Sequence, residues 1–90
     1  MPYYALLTDP PYDISVRLAA RDLSAAIREV KFLNREAMVG TDRRDVGYYL
    51  GVNLDDATRD ERDTALAQEN CSYVGDVVDM DDVRWSIFAR

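Results

Sequence analysis

Residues 72–89 read SYVGDVVDMDDVRWSIFA and consist of two apolar stretches on either side of a short acidic segment. Ser72–Val78 and residues 83–89 each have the length and composition of a β-strand, and residues 79–82 between them predict a turn. These residues therefore predict a β-hairpin at the end of the chain. In its second strand we expect one set of side chains, Val83, Trp85, Ile87 and Ala89, to face the core and another, Arg84, Ser86 and Arg90, to face solvent.

Two strands and a helix are predicted in the first half of the chain. Residues 3–8 form a short apolar run, residues 14–18 alternate apolar and polar side chains, and residues 9–13 between them read DPPYD. This order predicts a second hairpin with a proline-containing turn. Asp22 is a good N-cap for the following helix, whose apolar residues recur at helical spacing and which Gly40 can end.

A strand and a second helix are predicted in the middle of the chain. Apolar side chains occupy every second position of residues 46–54, which favours a strand. Asp55 or Asp56 is expected to cap a helix that runs to about Asn70. Because that helix is polar on nearly all sides, it is expected to lie on the protein surface.

The order of these elements predicts one small α+β domain over residues 1–90. We expect an antiparallel sheet of about four or five strands, packed by one amphipathic helix, with one acidic surface helix in addition. Ninety residues are enough for one modest hydrophobic core and too few for two domains.

The negative charge of the chain is concentrated in one region. Residues 1–52 carry seven acidic and seven basic residues, whereas residues 53–82 carry ten acidic residues against only Arg59 and Arg62. The net charge of −6 therefore originates in a single part of the sequence. A fold does not require this asymmetry, which points to a partner with a basic surface.

Several classes of function are disfavoured by residues that the sequence lacks. There is no histidine, the usual general base and metal ligand near neutral pH, and Cys71 is the single cysteine. No glycine-rich phosphate loop occurs, and residues 79–82 lack the ligand pattern of a calcium loop. We therefore expect no enzyme activity, no metal and no cofactor. The acidity disfavours direct contact with nucleic acid or an anionic membrane, and the lone cysteine favours the cytoplasm.

The acidic region divides into two predicted clusters. On a helix, Asp56, Asp60 and Asp63 would share one stripe, because they stand at positions i, i+4 and i+7. The final hairpin supplies the second cluster. A row of carboxylates on a rigid surface can take the place of phosphates in a basic groove. The predicted partner-binding residues are Asp55, Asp56, Asp60, Glu61, Asp63, Asp76, Asp79, Asp81, Asp82 and, as an exposed aromatic anchor, Tyr49.

Two functions are compatible with these features. In size, charge and build the chain resembles small acidic phage-encoded inhibitors of bacterial defence, including the anti-CRISPR proteins. That resemblance implies a non-enzymatic protein that docks on a basic, nucleic-acid-binding complex and inhibits it, by nucleic-acid mimicry, steric blocking or stabilisation of an inactive state. The alternative is a structural or oligomerising module, such as a phage accessory or antitoxin-like subunit, a homodimer included, whose acidity serves only solubility.

Overall fold

The computed structural model describes residues 2–10, 12, 14–33 and 56–90. In these residues four strands and two helices occur, which we number in chain order: β1 (Tyr3–Leu7), β2 (Ser15–Leu18), α1 (Leu23–Lys31), α2 (Arg59–Gln68), β3 (Ser72–Val78) and β4 (Arg84–Ala89). The predicted α+β class is therefore confirmed. The strand predicted over residues 46–54 lies outside the described residues.

The four strands form one antiparallel sheet in the order β2-β1-β4-β3. The first and last strands of the chain are thus its two central strands, with Ala5 opposite Ile87. Both predicted hairpins are present, since β1 pairs with β2 and β3 pairs with β4. A register shift between Tyr73 and Gly75 places a bulge at Val74 in β3.

The two central strands are buried on both faces. In β4 the prediction that Ser86 faces solvent is wrong, because Ser86 is fully buried and Phe88 beside it is 2% exposed. Side chains of successive residues point to opposite faces of a sheet, so a strand with both sets buried must be covered on both sides. The Ser86 hydroxyl is accommodated by hydrogen bonds to the side chains of Thr8 and Asp76.

Helix α1 covers one face of the sheet. Its Ala26 and Val30 belong to a buried cluster that includes Trp85 and Ile87 of β4. Asp22 is the N-cap, as predicted, and its carboxylate accepts a hydrogen bond from the backbone N–H of Ala25. The helix ends at Lys31, earlier than predicted, and residues 34–40 lie outside the described residues.

Helix α2 covers the opposite face, where Leu66 belongs to a second buried cluster with Tyr4, Leu6, Tyr12, Cys71 and Phe88. Its N-cap is Thr58, whose hydroxyl accepts a hydrogen bond from Glu61 N. The predicted caps at Asp55 and Asp56 are therefore wrong. The helix ends in a Schellman motif, because Asn70 has a positive φ of 61° and Cys71 N donates to Leu66 O.

Candidate functional site

Helix α2 is held on the sheet by a buried arginine. Arg62 is 1% exposed, and its guanidinium carbon lies 4.6 Å from the centre of the Tyr12 ring and 5.5 Å from that of Phe88. Its Nη1 donates a 3.0 Å hydrogen bond to the carbonyl oxygen of Leu7. The Nε and Nη2 atoms both lie 3.0 Å from Oδ1 of Asp63. The cation is thus compensated by two aromatic faces, a carbonyl and a carboxylate.

The outward side of α2 is acidic. Asp60, Glu61 and Asp63 are exposed there, and we call these three residues the α2 acidic surface. The Asp60 and Glu61 side chains make no ion pair within the described part of the chain, whereas Asp63 is paired with Arg62. Because Arg62 points inward, Arg59 is the one basic side chain exposed on this helix.

The stripe predicted for three aspartates is only partly present. Asp60 and Asp63 are one turn apart on α2, but Asp56 precedes the helix, which begins at Arg59. Asp56 is exposed, and its carboxylate does not share a helical face with the other two. Asp55 and Tyr49, also predicted to bind a partner, lie outside the described residues.

Asp79 has a structural role in the β3–β4 turn. It is 5% exposed, and its Oδ1 accepts hydrogen bonds from the backbone N–H groups of Asp81 and Val83. Its Oδ2 accepts a 2.8 Å bond from the indole N–H of Trp85. All these bonds satisfy donors inside the protein, so Asp79 is not available to a partner. Asp81 and Asp82 remain exposed at the tip of the turn.

Asp76 is also held by internal hydrogen bonds. Its Oδ1 accepts a 2.8 Å bond from the Tyr73 hydroxyl and a 3.0 Å bond from the Ser86 hydroxyl. The Ser86 oxygen is in turn 3.1 Å from that of Thr8. The bond to Asp76 raises the pKa of Tyr73, because it stabilises the protonated phenol. Asp76 is exposed and anchors the edge strand β3 to β4.

The two acidic clusters lie at one end of the sheet and next to different helices. Arg62 of α2 bonds to Leu7, the last residue of β1, and the neighbouring Thr8 N donates to Arg84 O at the start of β4. The start of α2 and the β3–β4 turn therefore share an end of the sheet. The turn, however, contacts α1, through a bond from Met80 N to Lys31 O. The α2 acidic surface and the turn carboxylates thus flank opposite faces of the sheet.

Arg62, Phe32 and Met80 define these surfaces, and no pattern in the sequence marks any of the three for that role. The burial of Arg62 has no local signal in the sequence, because arginine side chains are mostly exposed in folded proteins. Phe32 and Met80 are about three-quarters exposed, at 75% and 76%. Phe32 is the C-cap residue of α1 and follows the last helical residue, Lys31, directly.

One shallow cavity of about 360 Å³ lies at the other end of the sheet. Arg17 and Arg21 line it, together with the segment that joins β2 to α1. The backbone N–H groups of Ala19 and Ala20 in that segment already donate to the Glu29 carboxylate, at 2.9 and 3.0 Å. An anion would therefore have to compete with an internal carboxylate for these donors.

Among the described residues there is neither a metal-binding cluster nor a membrane-spanning helix. In that part of the chain, no three or more His, Cys, Asp or Glu side chains are grouped as they would be around a metal ion. Within the same residues, neither helix has the length and apolar character needed to cross a membrane.

No protein-family model matches the sequence, no curated protein is significantly similar to it, and no solved structure gives a significant match to its fold. The support for a function therefore comes from the charge, exposure and packing of the chain's own residues.

Proposed function

We propose that this chain is a non-enzymatic binding protein that docks its α2 acidic surface on a basic, nucleic-acid-binding partner and inhibits it. The observation that carries the proposal is the inward orientation of Arg62. Residues 53–82 contain two bases, and burial removes one of them from the surface while the Asp60 and Glu61 carboxylates stay exposed. Arg62 offsets Asp63 from below. The Asp60 and Glu61 carboxylates are therefore the uncompensated charges of the outward side, with Arg59 as the one exposed base of the helix.

The geometry of α2 supports a phosphate-like role for these carboxylates. Asp60 and Asp63 are one helical turn apart, so their attachment points differ by about 4.5 Å along the axis at a rise of about 1.5 Å per residue. This separation is close to the spacing of about 3.4 Å between charges along one strand of DNA. The Asp63 side chain is 49% exposed, and only its Oδ1 is bonded to Arg62. Packing against the sheet through Arg62 and Leu66 holds the helix in place, which lowers the entropic cost of binding.

These features fit best with a phage-encoded inhibitor of bacterial defence of the anti-CRISPR type, acting in the cytoplasm. Such an inhibitor acts by occupying a surface and requires no catalytic group. The carboxylates at the start of α2 also have a local role, since negative side chains stabilise a helix N-terminus by about 0.3–1 kcal/mol. That local role applies to Asp60 and Glu61 in the first turn of α2, and it does not conflict with binding because both side chains remain exposed.

The proposal is tested by capture of partners from a bacterial lysate on the immobilised protein, with identification by mass spectrometry. We expect a nucleic-acid-binding protein that elutes as salt rises and that added duplex DNA releases. Asp60→Asn/Glu61→Gln should lower capture at least about tenfold, since charge-assisted contacts contribute about 1.5 kcal/mol or more each. The control Asp9→Asn/Glu69→Gln removes the same charge from other exposed or half-exposed positions and should capture normally. Equal capture by both double variants would contradict the proposal.

A further inference from the structure

A second surface of the molecule combines exposed apolar side chains with unpaired charges. Phe32 and Met80 are the two most exposed large apolar side chains of the described residues, at 75% and 76%. They lie in neighbouring segments, because Met80 N donates a 3.2 Å hydrogen bond to the carbonyl oxygen of Lys31. Together they expose on the order of 300 Å² of mostly apolar area, which is at the lower end of the range for the largest apolar patch of a monomeric protein.

The turn that presents Met80 is rigidly built. The Asp79 carboxylate accepts three hydrogen bonds from the turn and from Trp85, and the backbone adds bonds from Asp82 N to Asp79 O and from Asp79 N to Val83 O. Asp82 adopts a positive φ of 61° to close the turn. A fixed turn presents Met80 to solvent before any partner arrives, which reduces the ordering cost of binding.

The charges around Phe32 and Met80 are opposite in sign on the two segments. The last turn of α1 carries exposed Arg28 and Lys31, and the β3–β4 turn carries exposed Asp81 and Asp82. These four residues and the two apolar ones form what we call the Phe32–Met80 patch. Within the described residues none of the four charged side chains forms an ion pair, although the two segments are in contact.

We infer that the Phe32–Met80 patch is the interface of a symmetric homodimer. A twofold interface requires a surface that is complementary to itself. In such a dimer the apolar residues of the two copies meet at the axis, and the cations of each α1 face the turn carboxylates of the other copy. A partner of uniform charge would match only one of the two segments, so the arrangement of charge favours a second copy of the chain, which carries both complementary segments, over such a partner.

The dimer is compatible with the proposed function and does not rest on it. Helix α2 packs on the opposite face of the sheet from α1, as Leu66 and Val30 lie in separate buried clusters. Dimerisation through α1 and the turn therefore leaves both α2 acidic surfaces exposed. Because the apolar area is small compared with the roughly 800 Å² that each partner buries in a standard interface, the dimer is expected to be weak.

The test is sedimentation equilibrium of the full chain from about 1 to about 500 µM, a range that brackets micromolar dissociation constants. The wild type should show a monomer–dimer equilibrium. Phe32→Ser/Met80→Ser should raise the dissociation constant at least about tenfold, since central apolar anchors dominate interface energies. Leu23→Ser, a control at the other end of α1 where the side chain is 39% exposed, should leave it unchanged.

Charge reversal distinguishes the twofold arrangement from nonspecific apolar association. Arg28→Glu/Lys31→Glu and Asp81→Lys/Asp82→Lys should each be monomeric alone, because like charges then face each other across the axis. An equimolar mixture of the two should form a heterodimer in which both contacts are attractive. A monomeric wild type over the whole range, or a mixture that associates no more than its components, would overturn the inference.

Discussion

The guanidinium carbon of Arg62 lies 4.6 Å from the centre of the Tyr12 ring, so a cation of α2 is stacked on an aromatic side chain from the loop between β1 and β2. Apart from Arg62, the helix buries only Ala65 and Leu66. Arg62 is therefore the largest buried side chain of α2, and it anchors the acidic surface.

Arg62→Ala should lower the free energy of unfolding by about 2–4 kcal/mol. The change removes the cation–π contact, leaves a cavity and deprives the Leu7 carbonyl of its donor. Arg62→Met keeps much of the volume and should cost less. Urea denaturation followed by circular dichroism measures both, with exposed Arg59→Ala as a control expected within about 0.5 kcal/mol of wild type. A loss for Arg62→Ala no larger than for Arg59→Ala would show that the stack does not hold the helix.

Asp79→Asn should destabilise the β3–β4 turn and lower the free energy of unfolding by about 1–3 kcal/mol. An amide retains one acceptor oxygen, whereas the carboxylate of Asp79 accepts three hydrogen bonds through two oxygens. Asp81→Asn, at the exposed tip of the same turn, is the matched control and should be nearly neutral. If Asp79→Asn were as stable as Asp81→Asn in the same denaturation experiment, the internal role assigned to Asp79 would be wrong.

Thr58→Ala should destabilise the start of α2 by about 1 kcal/mol, because the hydroxyl of Thr58 satisfies Glu61 N. Asp56→Ala, at one of the two residues predicted to be the cap, should cost less. Hydrogen exchange at the first-turn amides of α2 reports the difference, and faster exchange is expected only for Thr58→Ala. The reverse order would restore Asp56 as the N-cap.

Cys71 should react slowly with iodoacetamide at pH 7 in the folded protein. Burial raises the pKa of its thiol, with an opposing effect of Arg90, and the side chain is 8% exposed. The pKa of the thiol is higher in the folded protein than in the unfolded chain. The thiol therefore contributes fully to the free energy of unfolding when the pH is below the unfolded-state pKa, and this contribution is lost as the pH rises through the folded-state pKa. Alkylation rates from pH 7 to pH 10 measure the effect, with the urea-unfolded chain as reference. Equal rates for the folded and unfolded chains would contradict the burial of the thiol.

Local patterns were sufficient for most of the regular structure. Alternation of apolar residues identified β2 and β4, and Asp22 identified the start of α1, because both signals arise within a few residues of chain. The pairing of β1 with β4 joins the two ends of the sequence and leaves no local signal. The burial of Ser86 follows from that pairing, since only a central strand is covered on both faces. Because the pairing has no local signal, the burial of Ser86 was not predicted.

The candidate site was predicted less well than the fold. Composition identified an acidic region, but the internal bonds of Asp76 and Asp79 depend on tertiary contacts that charge counts do not contain. Asp60, Glu61 and Asp63 stay exposed as predicted, because a helix of this polarity can bury only one narrow side. The orientation of Arg62 required the aromatic face of Tyr12, which is contributed by a distant loop.

The claim that the α2 acidic surface occupies a nucleic-acid site of its partner is tested most directly by displacement. The captured partner is first bound to labelled duplex DNA, and the fluorescence anisotropy of the DNA is followed while the protein is added. A salt concentration of about 0.15 M screens long-range electrostatic attraction between exposed charges. We predict complete release of the DNA by the wild type and by Asp9→Asn/Glu69→Gln, and at least about tenfold weaker release by Asp60→Asn/Glu61→Gln. Persistence of the DNA signal while the protein is bound to the partner, or equal release by the two double variants, would contradict the claim.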